Sequence, residues 1–113
     1  MRTIVAGSRD GVTLKMVQEA ISKAPFPITT VISGTARGAD KYGEEAAKLR
    51  NIPVERYPAN WDKYGKSAGY KRNEQMAQNA EALVAIWDGQ SKGTKHMIDL
   101  AKRYSLQVYV YEI

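Results

Sequence analysis

Apolar residues in this chain of 113 residues fall into short continuous runs separated by segments of helical spacing. "RTIVAG" is a compact apolar run and predicts a first strand ending at Gly7. From about Thr13 to Ala24, Leu14, Val17, Ile21 and Ala24 recur at steps of three and four, the signature of an amphipathic helix. Pro25 and Pro27 end it. "ITTVIS" is β-branched and predicts a second strand. Gly38 to Arg50 predicts a second helix whose small face, Ala39, Gly43, Ala46 and Ala47, allows close approach to a sheet. "PVERYP" predicts a third strand between Pro53 and Pro58, followed by a long polar loop, "ANWDKYGKSAGY". Lys71 to Asn79 predicts a helix with Met76 and Ala80 inward, and "EALVAIWDG" holds a fourth strand. Ser91 or Thr94 starts a last helix carrying Met97, Ile98, Ala101 and Tyr104, and "LQVYVYEI" predicts a fifth strand.

Strands alternating with helices of this length imply a parallel sheet with right-handed crossovers. The first, second and fourth strands are nearly continuous apolar runs, as burial on both faces requires. The expected fold class is α/β: one Rossmann-like three-layer sandwich over residues 1–113 with a five-stranded parallel sheet. Ligands of such sheets bind beyond the carboxyl ends of the strands, near the point where strand order reverses.

Three predicted strands exit into polar, glycine-bearing turns: "AGSRD" from Ala6, "SGTARGAD" from Ser33 and "WDGQSKGT" from Trp87. In a parallel sheet all three lie on one edge, and each leads towards a helix. A helix start presents unpaired N–H groups and partial positive charge, which suit phosphate. Glycine lets a ligand approach the backbone without a Cβ between them. Arg9 and Arg37 add planar donor forks for phosphate or carboxylate. Neither G-x-G-x-x-G nor G-x-x-x-x-G-K-[ST] occurs, so the usual dinucleotide fingerprint and the Walker loop are both missing. The alternative is that these glycines only cap helices and tighten turns.

Charge and composition narrow the chemistry. Lys+Arg 17 against Asp+Glu 12 gives +5, which favours anionic partners without demanding nucleic acid. The densest basic region runs from Arg56 to Arg72 and includes Lys63, Lys66 and Lys71; it is either a solvated loop or a positive wall beside a phosphate site. The chain has no cysteine, which removes disulfides, thiolate metal sites and a cysteine nucleophile and suits a cytoplasmic setting. Its single histidine, His96, excludes a paired-histidine metal site, so no metal is expected. No apolar run approaches the ~20 residues of a membrane span.

The ordered set "GSRD", "VISGTARGAD", "YPANWDKYGKSAGYKRN" and "AIWDGQSKGTKHMI" resembles the YspA-like branch of the SLOG superfamily, small Rossmann-like proteins of bacteria and their phages. The resemblance covers Ile4 to Val110. It implies kinship with Lonely Guy phosphoribohydrolases and with the DNA-processing protein DprA, and binding of a nucleotide or nucleotide-derived signal. Carried over, it implies a first phosphate loop of Gly7, Ser8 and Arg9, and a second of Gly34, Thr35, Arg37, Gly38, Ala39 and Asp40. It places Arg72-Asn73 at the opening of the third helix, facing the same cleft. The last loop is Asp88, Gly89, Ser91, Gly93 and Thr94. Lonely Guy enzymes follow Gly-Thr, after two residues, with a catalytic glutamate. Here that position is Met97, which can neither act as a base nor stabilise an oxocarbenium ion.

Individual residues keep two readings each. Asp40 either accepts hydrogen bonds from ribose hydroxyls or caps the helix at Gly38. Asp88 either binds sugar or is a turn aspartate before Gly89. Together they are the candidate acid pair for bond cleavage. Arg72-Asn73 contacts ligand or bridges to Glu74 or Glu45. Trp61 stacks on a base or anchors its loop on the core; Tyr64 and Tyr70 pose the same choice. His96 is expected to be exposed or locally hydrogen-bonded. Tyr109 and Tyr111 line one face of an edge strand, a candidate dimer surface, and a homo-oligomer is expected. The expected function is binding of a nucleotide or ADP-ribose-like ligand as sensor or sequestering module, with no further cofactor. The alternatives are an enzyme cutting an N-glycosidic or phosphoester bond, and a DprA-like single-stranded DNA binder.

Overall fold

The computed structural model describes residues 1–113. Five strands, β1 (Arg2–Gly7), β2 (Thr30–Ser33), β3 (Val54–Arg56), β4 (Ala82–Trp87) and β5 (Gln107–Glu112), form one sheet. Their order is β3-β2-β1-β4-β5, and every pairing is parallel. The chain runs outward from β1 through β2 to β3, then crosses back to lay β4 and β5 on the other side. The switch point therefore falls between β1 and β4, paired in register from Thr3↔Ala82 to Gly7↔Ile86.

The central strands carry the core. Ile4, Val5, Val31, Ile32 and Ala82 to Ile86 are all fully buried. Side chains alternate between two apolar layers. On one face Val5, Val31, Val84 and Ile86 pack on α1 (Leu14–Lys23) and α2 (Ala39–Leu49). On the other Ile4, Ile32, Leu83 and Ala85 meet Met76, Met97, Ile98 and Ala101 from the remaining helices. Each face has its own apolar cluster, as a doubly wound sheet requires. The small face of α2 does the work expected of it. A Cβ on Gly43 would meet Val5 Cγ1 at 2.8 Å, so this helix sits on β1 at a distance only glycine permits.

The segment expected as a long polar loop is largely helical. α3 spans Trp61–Tyr64, a 3-10 turn spans Gly65–Ser67, and α4 spans Ala68–Gln78. Asn60 caps α3 by accepting from Lys63 N at 3.1 Å. Ala68, buried like Met76 and Ala77, sets the true start of α4. Arg72-Asn73 therefore lies one turn inside α4 rather than opening it. α5 spans Lys92–Arg103, with Ser91 as its cap. Tyr109 and Tyr111 do not form a free face: both pack on the α1–α2 layer, and Tyr111 Oη donates to Glu19 at 2.9 Å. No helix is long and apolar enough to cross a membrane.

Candidate functional site

At the carboxyl edge of the sheet, over the switch point, lies a cavity of about 390 Å³, within the roughly 300–1,000 Å³ of small-molecule sites. Its walls come from all three turns expected there: Gly7, Ser8, Arg9 and Asp10 after β1, Ala36 and Asp40 after β2, and Asp88, Ser91, Gly93 and Thr94 after β4. Arg72 and Asn73 enter from α4, and Met76 and Met97 form the apolar floor. Arg9, Arg72 and Thr94 thus converge on one hollow. Arg37 does not: it is exposed, pairs with Asp10 at 3.2 Å, and lines a neighbouring recess with Gly34, Thr35 and Trp61.

The turns are locked together by backbone contacts. Ser8 is buried; its N–H donates to Ile86 O at 2.9 Å, its carbonyl accepts from Ala39 N at 3.1 Å, and its hydroxyl accepts from Asp88 N at 3.2 Å. One residue ties the ends of β1 and β4 to the start of α2. Gly38, at φ 77, closes on the first turn, where a Cβ would lie 2.5 Å from the carbonyl oxygens of both Ser8 and Arg9. The missing side chain of this glycine makes room for neighbouring backbone. Gly34 has the same kind of role: a Cβ there would lie 2.7 Å from Asp40 Oδ2 and 2.8 Å from Arg72 Nη1. Gly93 differs, because nothing stands within 4 Å of where its Cβ would be. Its bare backbone faces the cavity.

The three helix starts are also unequal. α1 begins only at Leu14, capped by Thr13, well past the first turn. The first turn of α2 already holds a carboxylate, Asp40. The start of α5 is the open one. Ser91 Oγ accepts from Thr94 N at 3.4 Å and from Thr94 Oγ1 at 3.0 Å, and Gly93 lies bare beside them.

The two candidate acids have opposite environments. Asp40 is buried in the cavity wall. It does not cap its own helix; Oδ2 reaches back to accept from Ala36 N at 3.2 Å. Burial pushes its carboxyl up to about 6, partly opposed by the Ala36 N–H and the Arg72 charge. Asp88 is exposed and its Oδ1 accepts from Ser91 N and Gln90 N, both at 2.8 Å. Those two donors hold it below the ordinary carboxylate range. Asp88 is thus a turn aspartate that also borders the cavity, while Gly89, at φ 81, turns away to solvent.

Arg72 forms no ion pair with Glu74 or Glu45. Its Nη1 donates to the Gly34 carbonyl, and Nε donates to Asn73 Oδ1 at 3.0 Å. Burial lowers its proton affinity, Asp40 raises it, and nearby Arg9 lowers it again. Asn73 Nδ2 reaches Gly93 O at 3.5 Å and His96 Nδ1 at 3.2 Å, which makes Nδ1 an acceptor and leaves the ring proton on Nε2. His96 is half-buried and edge-on to Tyr70, with ring centroids 4.5 Å apart. Trp61 does not anchor on the core. It is 55% exposed, and stands at the mouth of the site. Residues that sequence reasoning missed are Asp10, Met76 and the bare edge at Gly69. Lys66, read only as part of a basic stretch, borders the site as well.

Asp40 makes stability fall as pH rises. Its folded pKa, about 6, lies above the ordinary carboxylate value of 3.8, so between these values the folded state holds the extra proton. The stabilisation is complete below about pH 4 and is lost as pH climbs through 6, by about 3 kcal/mol at ~1.4 kcal/mol per unit. Other carboxylates with lowered pKa work in the opposite sense, so the informative quantity is a difference. Urea titrations from pH 4 to 8 should show Asp40→Asn gaining on the wild type as pH rises. A pH-independent difference would remove Asp40 as a buried titrating group.

The topology and the walled hollow at the switch point define a Rossmann-like domain with a cavity at its carboxyl edge. The chain belongs to the YspA, cpYpsA-related SLOG family, which it matches over residues 1–64. It is 31% identical over 117 residues to the Gene 61 protein of Mycobacterium phage D29, covering 95% of this chain and 93% of that protein. Its fold is similar to DNA processing protein A (DprA) from Streptococcus pneumoniae, with a TM-score of 0.77 at 17% identity. That alignment covers 96% of this chain and 49% of the DprA chain, so the present chain spans about half of its length.

Proposed function

We propose that the protein binds a nucleotide or nucleotide-derived ligand, of ADP-ribose type, in the cavity at the β1–β4 switch point, as a sensor or sequestering module. The observation that carries this reading is the convergence of Arg9, Arg72, Thr94 and the bare Gly93 backbone on one hollow that also offers carboxylates and hydroxyls. Cations and open N–H groups suit phosphate; Asp40, Asp88 and Ser91 suit the hydroxyls of a sugar. Family membership supports a nucleotide-related role. Calorimetry against nucleoside mono- and diphosphates, ADP-ribose and nicotinamide dinucleotides is the test. Micromolar binding of at least one is expected, and silence across the panel would end the reading.

A second reading, a nucleotide-cleaving enzyme, is favoured by one observation. Asp40 titrates near 6 while Asp88 stays ionised, the divergence that separates an acid from a base. Met97 fills the place of the Lonely Guy glutamate and is buried in the floor, so cleavage would have to use Asp40 and Asp88 instead. Product formation from nucleoside monophosphates, abolished by Asp40→Asn, would promote this reading above binding alone.

A third reading, single-stranded DNA binding, draws on exposed Trp61, Tyr64 and Tyr70 beside Lys63, Lys66 and Lys71. Binding of an oligonucleotide that weakens steeply with salt would support it.

A further inference from the structure

The charges around the site are unevenly placed: mixed in one space and of a single sign in another. In the principal cavity two arginines, Arg9 and Arg72, face three carboxylates, Asp10, Asp40 and Asp88. Beside it opens a recess of about 220 Å³ bounded by Arg9, Lys66, Arg72, Trp61 and Tyr70, and no carboxylate lines it. Arg9 and Arg72 border both spaces, so the two are continuous across one rim.

None of the recess cations is held in an ion pair, although Arg72 feels the charge of Asp40 across the Gly34 turn. Arg2, Lys23, Arg37, Arg56 and Lys95 all form ion pairs within 4.0 Å, whereas Arg9, Lys66 and Arg72 form none. Arg72 spends Nη1 on Gly34 and Nε on Asn73, and its Nη2 donates to nothing in the protein. That nitrogen lies beside Gly69. A Cβ there would come within 3.9 Å of Nη2 and 3.7 Å of Trp61 Cη2. The glycine leaves a free guanidinium donor open next to an exposed aromatic ring. A second recess without carboxylates shares Arg9, Arg72 and Trp61 and adds Arg37 in place of Lys66, but Asp10 already holds the Arg37 guanidinium at 3.2 Å.

An anion placed in the principal cavity would lie among carboxylates, where like charges repel. In the side recess the only charged groups lining it are cations, and one of them, half-buried Arg72, keeps Nη2 free. We propose that the ligand's anionic group is held in this recess by Lys66, Arg9 and Arg72 Nη2 against Trp61, while its hydroxyl-bearing part occupies the acid-bearing cavity. This rests on the nucleotide reading and names where the phosphate of that ligand lies. Lys66 and Gly69 become ligand-binding residues, and the glycine loops after β1 and β2 become walls that hold the arginines.

The test uses pyrophosphate, adenosine, ADP-ribose and a short oligothymidylate. Titrations are followed through the indole N–H resonances of Trp61 and Trp87, the latter bonded to Ser91 O at 3.1 Å. Pyrophosphate should move the Trp61 signal and leave that of Trp87 in place. Lys66→Gln should weaken pyrophosphate and ADP-ribose about tenfold, the loss of one charge-assisted hydrogen bond, and leave adenosine unchanged. Gly69→Ala should also weaken both, although alanine favours the helix, so lost binding with unchanged or raised melting temperature separates occlusion from misfolding. A larger loss from Arg37→Gln than from Lys66→Gln would move the anion to the recess that carries Arg37 and overturn the assignment. ADP-ribose bound without any change at Trp61 would sink the recess and spare the nucleotide reading. Pyrophosphate at Trp61 with no nucleotide bound would do the reverse. Oligothymidylate moving Trp61 where ADP-ribose does not would make the phosphate that of a nucleic acid, and overturn the small-ligand assignment.

Discussion

Gly7→Ala will cost the protein about 2–4 kcal/mol, from overpacking at roughly 1–3 kcal/mol and a broken hydrogen bond at about 1 kcal/mol. The new Cβ would lie 2.1 Å from the Ile86 carbonyl oxygen and 3.0 Å from Ala39 Cβ. Neither neighbour can yield. Ile86 O accepts from Ser8 N, and Ala39 is fully buried at the start of α2. Relief requires β1 and β4 to part at the end of their ladder, where the cavity is built. With a total stability of about 5–15 kcal/mol for a domain, the melting temperature should fall by more than about 10 °C. A fall of under about 3 °C in a thermal melt would mean that the strand ends are looser than this packing requires.

Arg72→Gln should be the most damaging change to ligand binding that leaves the chain folded. Glutamine can still donate to the Gly34 carbonyl, so the stability loss should stay near 1 kcal/mol. What disappears is the positive charge beside Asp40 and the open donor beside Trp61. Truncating a buried charged partner costs about 2–5 kcal/mol of binding, so nucleotide affinity should drop about a hundredfold or more by calorimetry. Arg72→Lys should recover only part of this, because the charge returns without the fork that holds Gly34. Unaltered affinity in a folded Arg72→Gln protein would remove this arginine from the site.

The architecture was legible because its causes are local. Apolar β-branched runs such as "ITTVIS" and the three-and-four spacing of Leu14, Val17 and Ile21 report burial directly. The alternation of strand and helix then leaves few topologies, and places the polar turns on one edge. The segment from Ala59 to Tyr70 escaped because its helices lack an apolar stripe and contain Gly65 and Gly69. The available signal was Asn60 as a cap ahead of Asp62, together with the apolar spacing of Ala68 and Met76.

The site was legible at the level of which turns meet, and not at the level of what each glycine faces. Gly38 and Gly93 look alike in sequence, yet the first is pressed on the Ser8 and Arg9 carbonyls and the second is open. Arg9 and Arg37 look alike too, and only one reaches the cavity, because Asp10 draws the other aside. Such differences arise from contacts between residues far apart in the chain, which a linear pattern does not record. The basic stretch from Arg56 to Arg72 divides in the same way. Arg56 is taken by Glu44 at 2.8 Å, Lys63 and Lys71 lie over the Tyr64 ring, and Lys66 and Arg72 remain at the rim.

A crystal structure of the protein soaked with the tightest ligand of the calorimetric panel tests the central claim most directly. The account predicts density bridging the Gly7–Arg9 turn and the Ser91–Thr94 helix start, with Arg72 in contact. Density on another face of the sheet, or an empty switch point at saturating ligand, would contradict it.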